Sequence, residues 1–276
     1  MSRRRAFIGF VALGASLAFP RAGRAETTFC TKITKLPTVI TVSGSYCLDR
    51  NLATTATDTA NAITVNADFV SLDLNGFRLD GTAAPPGSRS GVYATNRRNV
   101  SVRNGLIRGF ERGVFLGGTG TRHLVEDLRV ELSARAGIWV EGAHSVVRGC
   151  RVSGIAGVVG DTDSYGIRLL GSEVRVLAND VLDTAGSGNG AGISILLEDA
   201  QASVLEGNRV GNASLLPGSA GIRLQGGQDI LVIGNTFTTL DIGLAFVSET
   251  FGKYRDNLTS GVGTPFDGGT DAGNNQ

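Results

Sequence analysis

One short phrase keeps returning along this chain: a glycine, then an aliphatic residue that opens a run of alternating apolar and polar side chains. It occurs as Gly91-Val92, Gly113-Val114, Gly137-Ile138, Gly166-Ile167, Gly192-Ile193, Gly221-Ile222 and Gly243-Leu244. Subtraction gives intervals of 22, 24, 29, 26, 29 and 22 residues. A period in the twenties describes a solenoid, in which no single repeat can bury its own apolar face and neighbours must stack to form a core. Within each opening the alternation is two-fold. Ile138/Val140, Ile167/Leu169, Ile193/Ile195, Ile222/Leu224 and Leu244/Phe246 fall on one face, with Trp139 and Glu141 on the other. That period belongs to a half-buried strand and excludes an amphipathic helix.

A second register lies inside the repeat. Val147-Arg148-Gly149-Cys150, Val176-Leu177-Ala178-Asn179, Leu205-Glu206-Gly207-Asn208, Val232-Ile233-Gly234-Asn235 and Tyr254-Arg255-Asp256-Asn257 align without gaps. Coils stacked about 4.8 Å apart would bring Asn179, Asn208, Asn235 and Asn257 into a hydrogen-bonded ladder. An asparagine at a tight turn can also accept the left-handed backbone and bond neighbouring backbone. Cys150 and Leu128 take the equivalent place in earlier coils, which makes Cys150 a buried thiol without chemistry. The chain has 40 glycines and only 6 prolines. Tight bends need the former, and strands that donate every N–H to a neighbouring coil exclude the latter.

These repeats, with the phrases Leu72-Asp73-Leu74-Asn75-Gly76 and Val102-Arg103-Asn104-Gly105, resemble secreted bacterial parallel β-helix proteins of the pectate-lyase-like superfamily. The resemblance covers roughly residues 37–257. It implies an all-β fold, a single-stranded right-handed parallel β-helix of eight or nine coils; the handedness comes from the resemblance alone. At the sheet spacing such a rod is about 40 Å long.

The expected organisation is a leader over residues 1–25, an N-terminal cap over 26–61, the β-helix over 62–258, and a coil end with a flexible tail over 259–276. The leader has a basic head (Arg3, Arg4, Arg5), an apolar run from Ala6 to Phe19, and small residues at Gly23-Arg24-Ala25. That is the pattern of a secretory signal peptide, and its apolar run is too short to span a membrane. Arg4-Arg5 leaves the twin-arginine and general export routes both open. The protein is thus expected in the periplasm or outside the cell. Removing five arginines takes the formal net charge from +1 to −4. A mildly acidic chain without a basic stripe is a poor partner for nucleic acid, no later stretch is apolar enough for a membrane span, and a monomer is expected. Cys30 and Cys47 are close in an exported chain and are expected to form a disulfide. Closing that loop would contribute roughly 3 kcal/mol.

The outward row of the opening strands reads Tyr93, Phe115, Trp139, Arg168, Ser194, Arg223, Ala245. Aromatic faces spaced at the coil distance form a platform for sugar rings, and arginine forks match carboxylates. Tyr93, Phe115, Trp139, Arg168 and Arg223 are therefore the candidate ligand-binding residues, for a polysaccharide or other extended glycan. Three inserts before opening strands, at 153–164, 183–190 and 212–219, should project from one edge beside that row. The resemblance also raises a polysaccharide lyase or C5-epimerase acting on uronate-containing glycans. Arg168 or Arg223 would then neutralise the uronate, and Glu141, Asp161 or Asp163 would act as acid–base groups. The paired aspartates with histidine of polygalacturonases and the Asp-Pro-His of alginate epimerases are missing. A non-catalytic structural or adhesive rod is the third reading. His123 and His144 are the only histidines, and a catalytic role would require them to converge with Glu126 or Glu141. No cofactor motif and no metal-ligand spacing stand out.

Overall fold

A computed structural model describes residues 29–55, 60–82, 89–160 and 163–276. The leader, and with it the proposed export signal, lies outside the described residues, as does Asp161. All regular structure among the described residues is β, and no helix is long and apolar enough to cross a membrane.

The chain winds as a stack of coils whose neighbouring strands pair in parallel, and the strands fall into three long sheets. The first contains Thr38–Ile40, Ile63–Val65, Ser90–Thr95, Arg112–Gly117, Ala136–Glu141, Ser164–Leu170, Gly192–Gln201 and Ala220–Gln228. The later halves of Thr236–Val247 and Leu258–Asp267 complete it. Its inward column is Val92, Val114, Ile138, Ile167, Ile195, Ile222 and Leu244, one residue directly over the next. The second sheet stacks Val102, Val125, Val147, Val176, Leu205, Val232 and Tyr254. The third stacks Ile107, Val130, Val152, Val181, Val210 and Phe237. These columns meet in one core that runs the length of the rod. Cys30 and Cys47 are bonded at its N-terminal end, with Cα atoms 5.7 Å apart. Stacking already begins there, since Thr38–Ile40 pairs with Ile63–Val65.

The opening glycines have a specific steric cause. A Cβ on Gly113, Gly137 or Gly166 would sit 2.4, 2.4 or 2.3 Å from a methyl of Val130, Val152 or Val181 in the third sheet. The first strand bends so tightly against the third that only hydrogen fits. Not every coil keeps this glycine, and buried Ala62 takes the position opposite Gly91 in one. In another, Ile167 pairs with Ile195 rather than Ile193, so Ser194, buried at 1 % exposure, occupies the glycine position. The outward row therefore carries Leu196 where Ser194 was expected. Gly192 is used differently: a Cβ there would meet the carbonyl of Thr184, because the preceding insert folds back against it. Ile193 leaves the main core and joins Leu196 and Ala220 in a small apolar cluster on the outer face, with Tyr165, Ala191 and Ile242 packed against it.

The asparagine ladder is present and continues one step beyond the four expected residues. Asn179 Nδ2 donates to Asn208 Oδ1 at 3.0 Å, Asn208 to Asn235 at 2.9 Å, Asn235 to Asn257 at 3.1 Å and Asn257 to Asn275 at 3.0 Å. Each acceptor oxygen also takes the backbone N–H of the residue one coil back, starting with Cys150 N to Asn179 Oδ1. The left-handed residue is not the ladder asparagine but the one before it: Gly149, Ala178, Gly207, Gly234, Asp256 and Asn274, with φ between 52° and 65°. The asparagine side chains are thereby free to point inward. Burial pushes the Cys150 thiol up to about 12, so it stays protonated and inert.

The final residues are ordered into this scheme rather than flexible. Leu258–Asp267 pairs with the strand before it, and Asn275 takes the last ladder position. Phe237, Phe246, Tyr254 and Phe266 pack ring to ring, with centroids 5.0–6.5 Å apart, and close the C-terminal end of the core.

Two substitutions test this account by urea denaturation. Asn208→Ala strands the buried N–H groups of Asn179 and should cost about 3 kcal/mol. Ala178→Gly relieves the one left-handed alanine in the ladder turn and should raise stability by about 0.5–1 kcal/mol.

Candidate functional site

On the outer face of the first sheet, Tyr93, Phe115 and Trp139 lie on successive coils in direct register. Tyr93 and Phe115 stack, with centroids 5.5 Å apart and planes 24° from parallel. Trp139 meets Phe115 edge-on at 5.5 Å, and Tyr165 meets Trp139 at 6.1 Å. The row is not a uniform platform. Tyr93 and Phe115 are half-buried, whereas Trp139 is only 8 % exposed.

Arginines cover the tryptophan. The guanidinium of Arg168, next in the row, lies 4.0 Å from the indole centroid, with Arg112 at 5.3 Å and Arg135 at 5.6 Å. Arg112 also lies 5.2 Å from the Phe115 ring. Such contacts gain when water is excluded, and two of the cations keep an acid beside them: Arg168 pairs with Glu198, and Arg112 with Glu111 at 3.1 Å. Burial lowers the Arg112 pKa against the pull of Glu111, and burial raises that of Tyr165. Trp139 Nε1 donates to Glu141 Oε1 at 3.0 Å, while the other carboxylate oxygen accepts Gly118 N–H at 2.5 Å.

The structure divides the expected site residues into two groups. Tyr93, Phe115, Trp139 and Arg168 form one continuous cluster. Arg223 stands apart, beyond Leu196, half-buried and without a hydrogen bond or ion pair from its side chain among the described residues. The acid–base candidates are engaged structurally: Glu141 as above, and Asp163 by accepting Ala191 N–H at 2.9 Å across two inserts. The two histidines do not converge. His144 is exposed and lies 3.2 Å from Glu173, whereas His123 is 2 % exposed with no side-chain partner for its ring. No cluster of three His, Cys, Asp or Glu among the described residues could hold a metal ion.

Arg112, Arg135 and Tyr165 were not singled out from sequence. The signal was present: an arginine stands one or two residues before the opening glycine in Arg112-Gly113 and Arg135-Ala136-Gly137. Inserts of irregular length hid that register.

A scan against protein families matches residues 90–257 to the right-handed β-helix region. The chain belongs to the right-handed β-helix family. Comparison with curated proteins finds no match. Among solved structures it is similar to the A-module of the Azotobacter vinelandii mannuronan C-5 epimerase AlgE4, with TM-score 0.54 and 13 % identity over 85 % of this chain and 89 % of that one. It is also similar to the enzymatically active domain of tailspike protein 2 of bacteriophage CBA120, with TM-score 0.65 and 16 % identity over 90 % of this chain but 41 % of the other. A third is the periplasmic alginate epimerase AlgG, with TM-score 0.51 and 11 % identity over 84 % of this chain and 70 % of that one. At these identities the likeness is one of fold.

Because Trp139 is a packed residue, Trp139→Ala should act first on stability, with a cost of roughly 3–5 kcal/mol in urea unfolding.

Proposed function

We propose that this is an exported, monomeric β-helix protein that binds a polysaccharide or other extended glycan along the outer face of its first sheet. The observation that carries the reading is the half-buried Tyr93–Phe115 stack, with the Arg112 guanidinium over the second ring. Parallel ring faces suit the C–H faces of sugars, and an arginine beside them suits hydroxyl or carboxylate oxygens. The sheet runs along the rod, so a linear polymer aligned with it would continue over Leu196 to the half-buried Arg223. Polysaccharide-acting proteins among the structural neighbours support the same class of partner. Binding is favoured over lyase or epimerase chemistry because both Glu141 oxygens and Oδ1 of Asp163 accept structural hydrogen bonds.

A glycan array containing alginate, pectate, glycosaminoglycans and neutral chains tests this. Phe115→Ala or Tyr93→Ala should weaken binding about 5- to 30-fold, the equivalent of roughly 1–2 kcal/mol. Arg223→Ala should weaken only acidic glycans. No binding to any glycan, or binding unmoved by all three changes, overturns the reading and leaves a structural rod.

A further inference from the structure

His123 stands in a turn of the core where the equivalent residues one coil either way are Val100 and Ser145. Its backbone N–H donates to Ser145 Oγ at 3.1 Å, but its buried ring has no side-chain partner, and only the Val100 backbone approaches it as a hydrogen-bond partner. A buried imidazole with at most one backbone partner for its two nitrogens is a costly filler for a site that valine or serine serves elsewhere. What distinguishes this coil is the loop above the ring, Gly117-Gly118-Thr119-Gly120. A Cβ on Gly120 would lie 2.7 Å from His123 Nε2, so the ring and the loop backbone are in direct contact. Two residues earlier, Gly118 N–H holds Glu141, and Glu141 holds the Trp139 indole. Thr119 anchors the same loop to Asn96 Oδ1 at 3.0 Å.

We infer that His123 is a positioning residue for the outer face: its neutral ring supports the Gly117–Gly120 loop, and a proton on it releases Glu141 and loosens Trp139. The charged groups on the surrounding turns are few. Asp68 acts on the ring from two coils above, where its Oδ1 accepts the backbone N–H of Arg98 from the coil between. Arg97 abuts Gly120 through its carbonyl, Arg122 is the exposed neighbour in sequence, and His144 with Glu173 lies on the side away from Asp68. Asp68 and the Val100 backbone favour the imidazolium, but burial outweighs them and lowers the pKa from 6.5 to about 4. The sign follows: the unfolded chain takes up the proton first, so stability is full above about pH 6.5 and falls as the pH drops toward 4. Below that, the folded ring is charged as well.

Trp139 is the only tryptophan in the chain, so its fluorescence reports on this linkage without any ligand and independently of the glycan reading. Emission should shift to longer wavelength as pH falls from 7 to about 3, with its midpoint near the folded-state value of about 4, while the far-ultraviolet circular dichroism of the β-helix persists. The shift should disappear in His123→Gln and His123→Leu and survive in His144→Gln. Absence of the shift in the native chain, or its persistence in either His123 variant, overturns the inference. Should both variants fail to fold, the imidazole titration of His123 is read by NMR in the His144→Gln chain. It must share the fluorescence midpoint; an offset greater than about one pH unit overturns the inference equally.

Discussion

The fold depends on one close approach. In four successive coils, at Gly91, Gly113, Gly137 and Gly166, the first strand bends against the third with a valine or isoleucine methyl less than 3 Å from where a Cβ would stand. A wider bend would part the two sheets and leave the core a cavity. Glycine at that corner, or the small Ala62 and Ser194 in two coils, allows three short strands to close around a filled interior. Every other regularity follows from repeating this corner. Columns of valine and isoleucine form because identical corners place identical positions above one another, and all outward side chains become rows parallel to the rod.

Most of the architecture was legible for that reason. Gly113, Gly137, Gly166 and Gly221 announce their corners, and the two-residue alternation after them sorts core from surface. The reading slipped at Gly192. A glycine there is also demanded by contact, but with the folded-back insert instead of the third sheet, and two glycine requirements look alike in a sequence. Ser194 has a hydroxymethyl group small enough for the corner, and nothing in the local pattern marks it. The left-handed positions were similarly displaced by one residue, since asparagine tolerates both the turn and the ladder and only geometry shows which it serves.

The candidate site was legible in its row and hidden in its depth. Register alone put Tyr93, Phe115, Trp139 and Arg168 side by side. It could not show that Arg112 and Arg135, set back in the turns, reach over the indole, because long side chains cover ground that backbone spacing does not describe. The result is a graded surface: a stacked aromatic pair open at one end, a tryptophan sealed under cations in the middle, and an apolar patch around Leu196 before Arg223. The acids are equally instructive. Glu141 looks available on paper and is fully committed to an indole and an amide.

The amide row from Asn179 to Asn275 has a direction, each side chain giving to the next and each oxygen receiving from the one behind. Because the joint between any two of these turns is chemically the same, an extra unit of matching register inserted there would present the same donors and acceptors on both of its faces. The C-terminal half of the rod is thus a natural place for lengthening or shortening by whole-turn duplication or loss, while a change of a few residues within a turn would break the row at that seam.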